Sequence, residues 1–467
     1  MKFSGLFGKK NREKNVQEKA QNNSGNVVRS NSATSNKANA PVNKTNTPRQ
    51  DKNNQDAGSQ QKKPAKKAWS IEQYQVEPEE GKTRFHDLGL ELSLVQSIAA
   101  LKYQYCSEIQ AESLPKTLLG HDVIGKAATG TGKTAAFLIT IINDLLCRPI
   151  PKEDRFSSEP RALIIAPTRE LALQIEKDAV SLTKHSNMSV YSVLGGIDYQ
   201  KQKDYVRNRT IDILVATPGR LIDFLNSNDL YLDQLDFLVI DEADRMLDMG
   251  FIPDVKRIIS RCSKVEQRQT LLFSATFSED VLNLAKRWTT NPVFVEIEAE
   301  QLTTDKVEQK IFMVPTDEKL EIICRYIEQN SVRKAIIFGN RRDETRRLEA
   351  ELKSQGIKAA LLSGEVPQHK RIKTLDQFKS GQIEILVATD VAGRGIHVDG
   401  VSHVFNYNLP EDAEDYVHRI GRTGRAGEKG VSISFACEDD AFLLPEIEKY
   451  IGMKLNCEYP DYLLKKS

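Results

Sequence analysis

The chain has 467 residues, with 66 Lys and Arg against 65 Asp and Glu and a formal net charge of +1, and this length predicts two domains with additional segments rather than a single core. Its 6 cysteines are scattered without a Cys-x-x-Cys pair, which argues against a zinc site or a disulfide framework and favours a reducing compartment. No segment approaches the roughly 18–20 apolar residues of a membrane span, so we expect a cytoplasmic protein without such a span.

Residues 1–80 are predicted to form a disordered, basic arm. They are rich in Asn, Lys, Gln and Ser and poor in large apolar residues, so they cannot bury enough surface to offset the entropy of ordering. Residues 1–70 carry fifteen Lys and Arg against four Asp and Glu, a difference of +11, which predicts a polyanionic partner. A small docking patch formed by Phe3, Leu6 and Phe7 stays open as an alternative.

After the arm, short apolar runs alternate with helix-length amphipathic segments, which predicts βαβ units and parallel sheets. The pattern occurs twice, so we expect an α/β fold with domains at 81–297 and 307–467, a linker at 298–306 and a hinge region around 291–305. The predicted strands are 161–166, 189–194, 211–216, 237–240, 270–273, 334–338, 357–362, 383–388, 403–407 and 431–435. Ligands of such sheets bind at the carboxyl ends of the strands.

The run from Ala127 to Thr134 predicts a phosphate-binding loop. The backbone N–H groups near Gly130 and Gly132 can turn towards phosphate oxygens, Lys133 can reach the β- and γ-phosphates, and Thr134 can hold magnesium. The strict pattern fails at one position, where Ala127 replaces glycine. A Gly- and Thr-rich turn with an incidental lysine is the structural alternative.

Two further motifs complete the parts that phosphoryl transfer needs. Asp241 and Glu242 follow an apolar run, and two adjacent carboxylates at a strand end point to different faces and can serve separate roles. The run from His418 to Arg425 supplies arginines from the second domain. We therefore expect ATP and Mg²⁺ in a cleft between the two domains.

Together these motifs resemble those of the DEAD-box RNA helicases of superfamily 2, over about residues 83–448. The resemblance implies two tandem RecA-like domains and an enzyme that hydrolyses ATP to unwind or remodel RNA locally, in RNA turnover. It implies catalytic roles for Lys133, Asp241, Glu242, Arg422 and Arg425. The implied ATP-binding residues are Phe85, Tyr103, Gln110, Ala128, Thr129, Gly130, Thr131, Gly132, Lys133, Thr134, Gly395 and His397.

Within this set, Gln110 would read the adenine edge, and either Tyr103 or Phe85 would pack near the base. Thr134 and Asp241 would hold Mg²⁺, the latter directly or through water. Glu242 would orient and deprotonate the attacking water, while Arg422 and Arg425 would be arginine fingers.

The resemblance also implies contacts to RNA that are made with phosphate and sugar and carry no sequence readout. The implied RNA-binding residues are Thr168, Arg169, Gly195, Gly196, Thr217, Arg220, Asn340, Gln368, Arg371 and Thr389. Ser274, Thr276, Asp390 and His418 would couple the nucleotide state to the domains and RNA. A purely structural role for His418 and the Ser274-Ala275-Thr276 run stays open.

The sequence departs from the family pattern at three positions. Lys102 stands for the usual Gly and Cys106 for a common Pro in the adenine-reading motif. His397 stands where most members carry an Asp that accepts hydrogen bonds from the ATP ribose. A neutral imidazole has one acceptor, so we expect His397 to hold ribose less well, unless it only packs between the domains.

A finer resemblance in 393–397, 403–410 and 444–452 points to bacterial helicases of RNA degradosomes, which partner with an endoribonuclease. Two rival functions are an RNA-binding clamp or scaffold with weak ATPase, and a DNA-acting superfamily 2 translocase. The intact Lys133, Glu242 and arginine motif argue against the first rival. Gln110 and the Asp-Glu-Ala-Asp tetrapeptide favour RNA over DNA.

Overall fold

The computed structural model of the protein describes residues 69–128, 130–297, 307–393, 398, 400–424 and 429–464. The arm predicted from the sequence lies outside these residues up to position 68, as does the predicted linker. Four predicted site residues also lie outside them: Thr129, Gly395, His397 and Arg425.

The first domain is built on seven parallel strands with helices between them. Its strands are β1 (Val123–Lys126), β2 (Ala162–Ile165), β3 (Val190–Val193), β4 (Ile213–Ala216), β5 (Phe237–Ile240), β6 (Gln269–Ser274) and β7 (Val293–Glu296). Its helices are α1 (Leu92–Ala100), α2 (Glu108–Thr117), α3 (Lys133–Cys147), α4 (Arg169–Leu182), α5 (Tyr199–Asn208), α6 (Pro218–Asn226), α7 (Ala243–Asp248), α8 (Ile252–Ile259) and α9 (Glu279–Trp288). Apolar side chains of the central strands are fully buried on both faces of the sheet, as parallel sheets require.

The second domain repeats this plan. Its strands are β8 (Val307–Met313), β9 (Ala335–Phe338), β10 (Ala359–Leu362), β11 (Ile385–Ala388), β12 (His403–Asn406), β13 (Gly430–Ala436) and β14 (Cys457–Glu458). Its helices are α10 (Lys319–Gln329), α11 (Arg342–Ser354), α12 (Gln368–Lys379), α13 (Asp390–Gly393), α14 (Ala413–Ile420), α15 (Leu444–Ile451) and α16 (Asp461–Leu464). Within the described ranges, no helix is long and apolar enough to cross a membrane.

The two sheets have the same strand order. The first runs β3-β4-β2-β5-β6-β1-β7 and the second β10-β11-β9-β12-β13-β8-β14, so each strand corresponds to the strand seven places later. The equivalent strands β4 and β11 even share the sequence Ile-Leu-Val-Ala, and a threonine follows each of them, Thr217 and Thr389. The predicted α/β fold with two parallel sheets is confirmed.

Each predicted strand lies within two residues of an observed one, whereas β1, β7, β8 and β14 are not among the predicted strands. The hinge expected around 291–305 is wrong in its first part, because β7 lies there and pairs in parallel with β1. A four-residue strand directly before a polar stretch resembles a loop in sequence. In β8 the polar residues 308–310 interrupt the apolar pattern between Val307 and Ile311.

The segment 69–80, which the sequence assigned to the arm, packs on the first domain. Tyr74 and Val76 are buried in its core. Arg84 donates a hydrogen bond to the Val76 carbonyl at 3.0 Å, and the Tyr105 hydroxyl donates to the Glu77 carbonyl at 2.7 Å. The folded region therefore begins before residue 80.

Candidate functional site

The predicted motifs lie at the carboxyl ends of the parallel strands. The phosphate loop follows β1, the Asp-Glu-Ala-Asp run follows β5, and the Ser-Ala-Thr run begins at the last residue of β6. Because β5, β6 and β1 are neighbours in the sheet, these three motifs share one edge. This is the edge at which parallel α/β sheets bind ligands.

The phosphate loop depends on glycine. Gly130 and Gly132 have φ values of 88° and 98°, in the left-handed region that other residues rarely adopt. A Cβ at Gly132 would also collide with the side-chain amide of Gln110. The loop then turns directly into α3, whose N-terminus points backbone N–H groups at the site.

Side chains of the loop are held by its own carbonyl groups. The buried Lys133 ammonium donates to the Ala127 carbonyl at 2.6 Å, and the Thr131 hydroxyl donates to the Ala128 carbonyl at 2.9 Å. Lys133 therefore lies over the loop, where a phosphate oxygen can compete for its hydrogen bonds. The replacement of Gly by Ala127 leaves this arrangement intact, because the Ala127 side chain is buried in the core.

An open cleft of about 220 Å³ adjoins the loop, somewhat smaller than the roughly 300–1,000 Å³ typical of small-ligand sites. It is lined by Tyr103, Gln110, Gly130, Gly132, Lys133, Thr134, Ala135, Leu171, Asp178, Asp241 and Glu242. The cleft thus unites the predicted adenine reader, the phosphate loop and both acidic residues. Leu171 and Asp178 were not predicted from the sequence.

Gln110 joins the adenine-reading motif to the phosphate loop. Its Oε1 accepts a hydrogen bond from the Ser107 backbone N–H at 2.9 Å, and its Nε2 donates to the Gly132 carbonyl at 3.0 Å. Each amide atom keeps one hydrogen-bonding position, so one donor and one acceptor remain for an adenine edge. The predicted role therefore fits the geometry.

Of the two aromatic candidates for packing near the base, Tyr103 lines the cleft. It is 40% exposed, whereas Phe85 is 1% exposed and lies in the core. The two ring centroids are 6.1 Å apart, so Phe85 supports Tyr103 from behind. A direct contact between Phe85 and the base stays a prediction.

Asp241 and Glu242 are both buried at the inner end of the cleft. Burial raises the pKa of Asp241 to about 7, against the opposing charge of Lys133 and with a further upward contribution from Glu242. A carboxylate pair buried in this way is stabilised by a cation. Asp241 and Thr134 line the same cleft and offer the oxygen ligands that Mg²⁺ prefers, so these residues fit the ion.

Glu242 has a strained backbone and an incompletely satisfied side chain. Its φ and ψ values of 52° and 54° are left-handed, which is unusual for a non-glycine residue. Its buried Oε2 accepts no hydrogen bond from the described residues, and Nε of Arg245 lies 3.6 Å away. A free acceptor at this position is suited to orienting a water molecule.

Asp244 connects the Asp-Glu-Ala-Asp run to the Ser-Ala-Thr run. Its Oδ2 accepts hydrogen bonds from the backbone N–H groups of Ala275 and Thr276, both at 2.8 Å, and its own N–H donates to Ser274 Oγ at 3.0 Å. Burial opposes ionisation, yet the hydrogen bonds hold the pKa of Asp244 below its usual value. Asp244 was not predicted as a site residue from the sequence, although it lies in a predicted motif.

The two domains contact each other through predicted RNA-binding residues. Nε of Arg371 donates to Glu170 Oε1 at 2.7 Å, and Gln368 Nε2 donates to the same oxygen at 3.1 Å. Arg169 in turn donates to Gln368 Oε1 at 3.3 Å. The side chains of Arg371 and Glu170 are both 9% exposed. Glu170, which the sequence analysis did not assign to the site, is the centre of this contact between α4 and α12.

The guanidinium groups of Arg169, Arg220 and Arg371 lie close together at this contact. Burial, together with the neighbouring Arg371 and Arg220, lowers the pKa of Arg169 against the opposing effect of Glu170. The Arg220 side chain is 10% exposed; it donates through one nitrogen to the Ile197 carbonyl at 3.1 Å. Its Nε and other terminal nitrogen are buried without a hydrogen-bond partner among the described residues. Such a cluster is suited to binding phosphate groups.

The remaining predicted RNA contacts of the first domain border this cluster. Gly195 and Gly196 leave room for Arg169, because a Cβ at either position would press on its guanidinium. Gln202 holds the same turn by hydrogen bonds to the backbone N–H and carbonyl of Leu194. Thr168 and Thr217 are the N-cap residues of α4 and α6, and only Thr168 makes a side-chain cap.

In the second domain, Arg419 organises two predicted site residues. It forms a bidentate pair with Asp390, with both distances 2.6 Å, and donates to Asn340 Oδ1 and the Asn408 carbonyl, both at 2.7 Å. Arg419 is 1% exposed. Asn340 and Asp390 are therefore held inside the domain here, and Arg419 was missed by the sequence analysis although it lies in the arginine motif.

The predicted arginine finger Arg422 does not line the cleft, since all the lining residues belong to the first domain. It is buried, and its Nε donates to the His418 carbonyl at 3.2 Å. His418 lies 3.9 Å from Glu414 and 3.8 Å from Asp415, which pair with it only when the imidazole is protonated. The finger and coupling roles stay predictions.

Comparison with known proteins decides the family. Residues 107–284 match the model for the DEAD/DEAH box helicase domain, and residues 318–427 match that for the helicase conserved C-terminal domain. The ATP-dependent RNA helicase RhlB of Pseudomonas putida is 58% identical over 391 residues, which span 84% of this chain and 98% of that protein. The chain belongs to the DEAD-box ATP-dependent RNA helicases.

This DEAD-box helicase is also 49% identical to RhlB of Shewanella baltica over 369 residues, which span 79% of this chain and 84% of that protein. It is an enzyme that uses ATP and binds RNA, and the two rival functions, clamp or scaffold and DNA translocase, are not favoured.

Solved structures of this family show the same tandem RecA-like fold. Yeast Dbp5 bound to RNA and ADP BeF3 matches with a TM-score of 0.72 at 31% identity, over 81% of this chain and 96% of that one. Mss116p bound to ssRNA and AMP-PNP also matches with a TM-score of 0.72, at 29% identity over 83% of this chain and 82% of that one. A Dbp5 variant bound to Nup159, Gle1, IP6 and ADP matches with a TM-score of 0.56 at 30% identity, over 80% of this chain and 96% of that one. The DEAD-box helicase described here thus resembles the RNA-bound forms more.

Proposed function

We propose that RNA and Mg²⁺-bound ATP close the two domains of this helicase together, and that closure completes the hydrolytic site. The observation that supports this is the buried Glu170–Arg371 pair, which joins α4 to α12 beside the arginine cluster. A ligand that binds the closed state more tightly shifts the population towards it. Hydrolysis and loss of phosphate then allow the domains to separate.

The residues of the first domain prepare the nucleotide for hydrolysis. Lys133 binds the β- and γ-phosphates, and Glu242 orients the attacking water and accepts its proton. Mg²⁺ held by Thr134 and Asp241 would neutralise charge on the phosphate oxygens. Arg422 and Arg425 are delivered from the second domain to the γ-phosphate. Glu242 and the attacking water therefore do not support fast ATP hydrolysis until Arg422 and Arg425 contact the γ-phosphate.

RNA binds along the surface formed by the arginine cluster and the neighbouring strand ends. Arg169, Arg220 and Arg371 carry the donors for phosphate oxygens, and the Gly195–Gly196 turn lets the RNA backbone approach closely. Contacts of this type do not read bases. Closure bends one RNA strand between the two domains and so separates a short duplex locally.

Replacing Glu170 by Gln should lower RNA-stimulated ATP hydrolysis about 10-fold, since hydrogen bonds to charged groups contribute roughly 1.5–3 kcal/mol. Gln keeps the size of the side chain but leaves the buried Arg371 without a carboxylate partner. Steady-state ATPase titrations with RNA measure the effect. Glu176→Gln is the matched control, because this glutamate of the same helix accepts a hydrogen bond from Ser192 within the first domain. An equal loss in both variants would contradict the role of the interdomain pair.

Deletion of residues 1–68 should raise the RNA concentration needed for half-maximal stimulation and flatten its salt dependence, because the basic arm would tether RNA through counterion release. Turnover at saturating RNA should change little. ATPase titrations at several salt concentrations test both statements. An unchanged salt slope would refute the tether and favour a docking role for Phe3, Leu6 and Phe7.

We further propose that the helicase works in cytoplasmic RNA degradation with an endoribonuclease partner. The support is its similarity to proteins named RhlB and the degradosome-type resemblance of 393–397, 403–410 and 444–452. Affinity purification of the helicase from its own cells, with and without nuclease treatment, tests the partner. Recovery of an endoribonuclease after RNA is digested supports the proposal, and its loss on digestion contradicts a direct interaction.

A further inference from the structure

Arg220 has an aromatic support that the sequence motifs do not indicate. Tyr199 is the first residue of α5, and Arg220 and Phe224 lie four residues apart on one face of α6. The Tyr199 ring stacks on Phe224 with 5.0 Å between centroids and an interplanar angle of 29°. The Arg220 guanidinium carbon lies 5.3 Å from the centre of the same ring. Tyr199 therefore contacts both side chains.

The Tyr199 ring is itself fixed at its far end. Its hydroxyl lies 3.0 Å from Ser227 Oγ and donates to Asp229 Oδ2 at 3.2 Å. Asp229 is fully buried and also pairs with Lys203 at 3.1 Å and with Arg207. These contacts anchor the phenol ring before any ligand binds, which favours a preorganised site.

Arg220 needs such a support because its other partners are few. One terminal nitrogen donates to the Ile197 carbonyl, and the exposed Asp223 carboxylate lies 3.9 Å from Nε. The remaining donors are buried without hydrogen bonds among the residues that the structure describes. A nearly buried guanidinium with unused donors, held over an aromatic face, is arranged for an incoming anion.

We propose that Tyr199 is a positioning residue that holds the Arg220 guanidinium towards the RNA backbone. This inference rests on the proposed function, in which Arg220 binds RNA phosphate. Tyr199 does not line the nucleotide cleft, so its removal should act on RNA affinity rather than on the hydrolytic step.

The test compares full-length variants by RNA titration of ATP hydrolysis, with RNA affinity read from half-saturation and the catalytic step from the maximal rate. Tyr199→Leu should raise the half-saturating RNA concentration about 3- to 10-fold, the range expected for a cation–π contact, without a comparable change in the maximal rate or in KM for ATP. Tyr199→Phe keeps the ring but loses the hydroxyl contacts that anchor it, so the half-saturating RNA concentration should rise by less than in Tyr199→Leu. Tyr205→Leu is the matched control, since Tyr205 lies on the same helix and stacks on Tyr191 instead.

A double-mutant cycle separates positioning from a general structural effect. In an Arg220→Met background, Tyr199→Leu should cause no further loss of RNA affinity. An undiminished loss in that background, or wild-type affinity of Tyr199→Leu alone, overturns the inference. If Arg220→Met itself leaves RNA affinity unchanged, the RNA role of Arg220 fails first, and the inference fails with it. Should Tyr199→Leu unfold, Tyr199→Met provides an apolar chain without a ring for the same cycle.

Discussion

Glu242→Gln should lower RNA-stimulated ATP hydrolysis about 10²–10⁴-fold, the usual contribution of a positioned general base. Gln has the size of Glu but cannot accept a proton from water. The side chain is buried, and its Oε2 has no hydrogen-bond partner among the described residues, so the change removes chemistry rather than packing. ATP-dependent RNA binding should persist or tighten, because the closed state forms but does not turn over.

The two readouts are single-turnover hydrolysis and RNA binding in the presence of ATP. Glu266→Gln, at an exposed glutamate of the first domain, controls for the loss of one negative charge. Hydrolysis by Glu242→Gln at nearly the wild-type rate would show that Glu242 is not the base. A simultaneous loss of RNA binding would instead point to a role in closure.

Arg419→Met should destabilise the second domain by about 3–5 kcal/mol, as expected when one partner of a buried ion pair is removed. The change leaves the Asp390 carboxylate unpaired and removes the donors to Asn340 and Asn408. Lysine cannot form the bidentate pair, so Arg419→Lys should recover only part of the stability. The predicted RNA and coupling residues Asn340 and Asp390 should lose their orientation at the same time.

Hydrogen exchange is the suitable measurement, because a chain with two domains does not unfold in one step. Protection should fall in β9 and β12 while the first domain keeps its exchange pattern. Arg347→Met is the matched control, because the Arg347 side chain is 71% exposed and lies 3.7 Å from Asp343. This change should alter stability by no more than about 0.5 kcal/mol. Unchanged protection in Arg419→Met would contradict the structural role of the pair.

The strands of both sheets were predictable because buried parallel strands are continuous apolar runs. The Ile-Leu-Val-Ala sequences of β4 and β11 are the clearest case, since both are fully buried and occupy equivalent positions. The edge strands β7 and β14 were less predictable than the edge strands β3 and β10. The four-residue β7 and two-residue β14 bury little, and burial is the property that creates the pattern.

The site residues were predictable where a local sequence motif indicates the role of the residue. Lys133, Asp241 and Glu242 come together in one cleft with Gln110, as their positions after β-strands imply. Contacts between distant segments left no local signal. Arg419 gathers acceptors from three separate stretches of the second domain, and Glu170 is recognised only when α12 lies beside α4.

The contact between Tyr199 and Arg220 is another contact between distant segments that leaves no signal in the local sequence. Tyr199 precedes Arg220 by 21 positions, and nothing in either local sequence predicts that their helices place the ring under the guanidinium. Local motifs indicate the catalytic and binding groups, whereas the residues that hold those groups in place can be identified only from the tertiary fold.

RNA-driven closure is tested most directly by the rate of ATP hydrolysis by the purified full-length protein in the presence of Mg²⁺. The rate is measured under three conditions: without nucleic acid, with single-stranded RNA, and with single-stranded DNA of the same sequence. If RNA-driven closure completes the site, hydrolysis should be slow alone, rise strongly with RNA and rise little with DNA. Glu170→Gln should lose most of the stimulation but little of the basal rate. A rate that is the same with and without RNA would contradict closure as the step that activates hydrolysis.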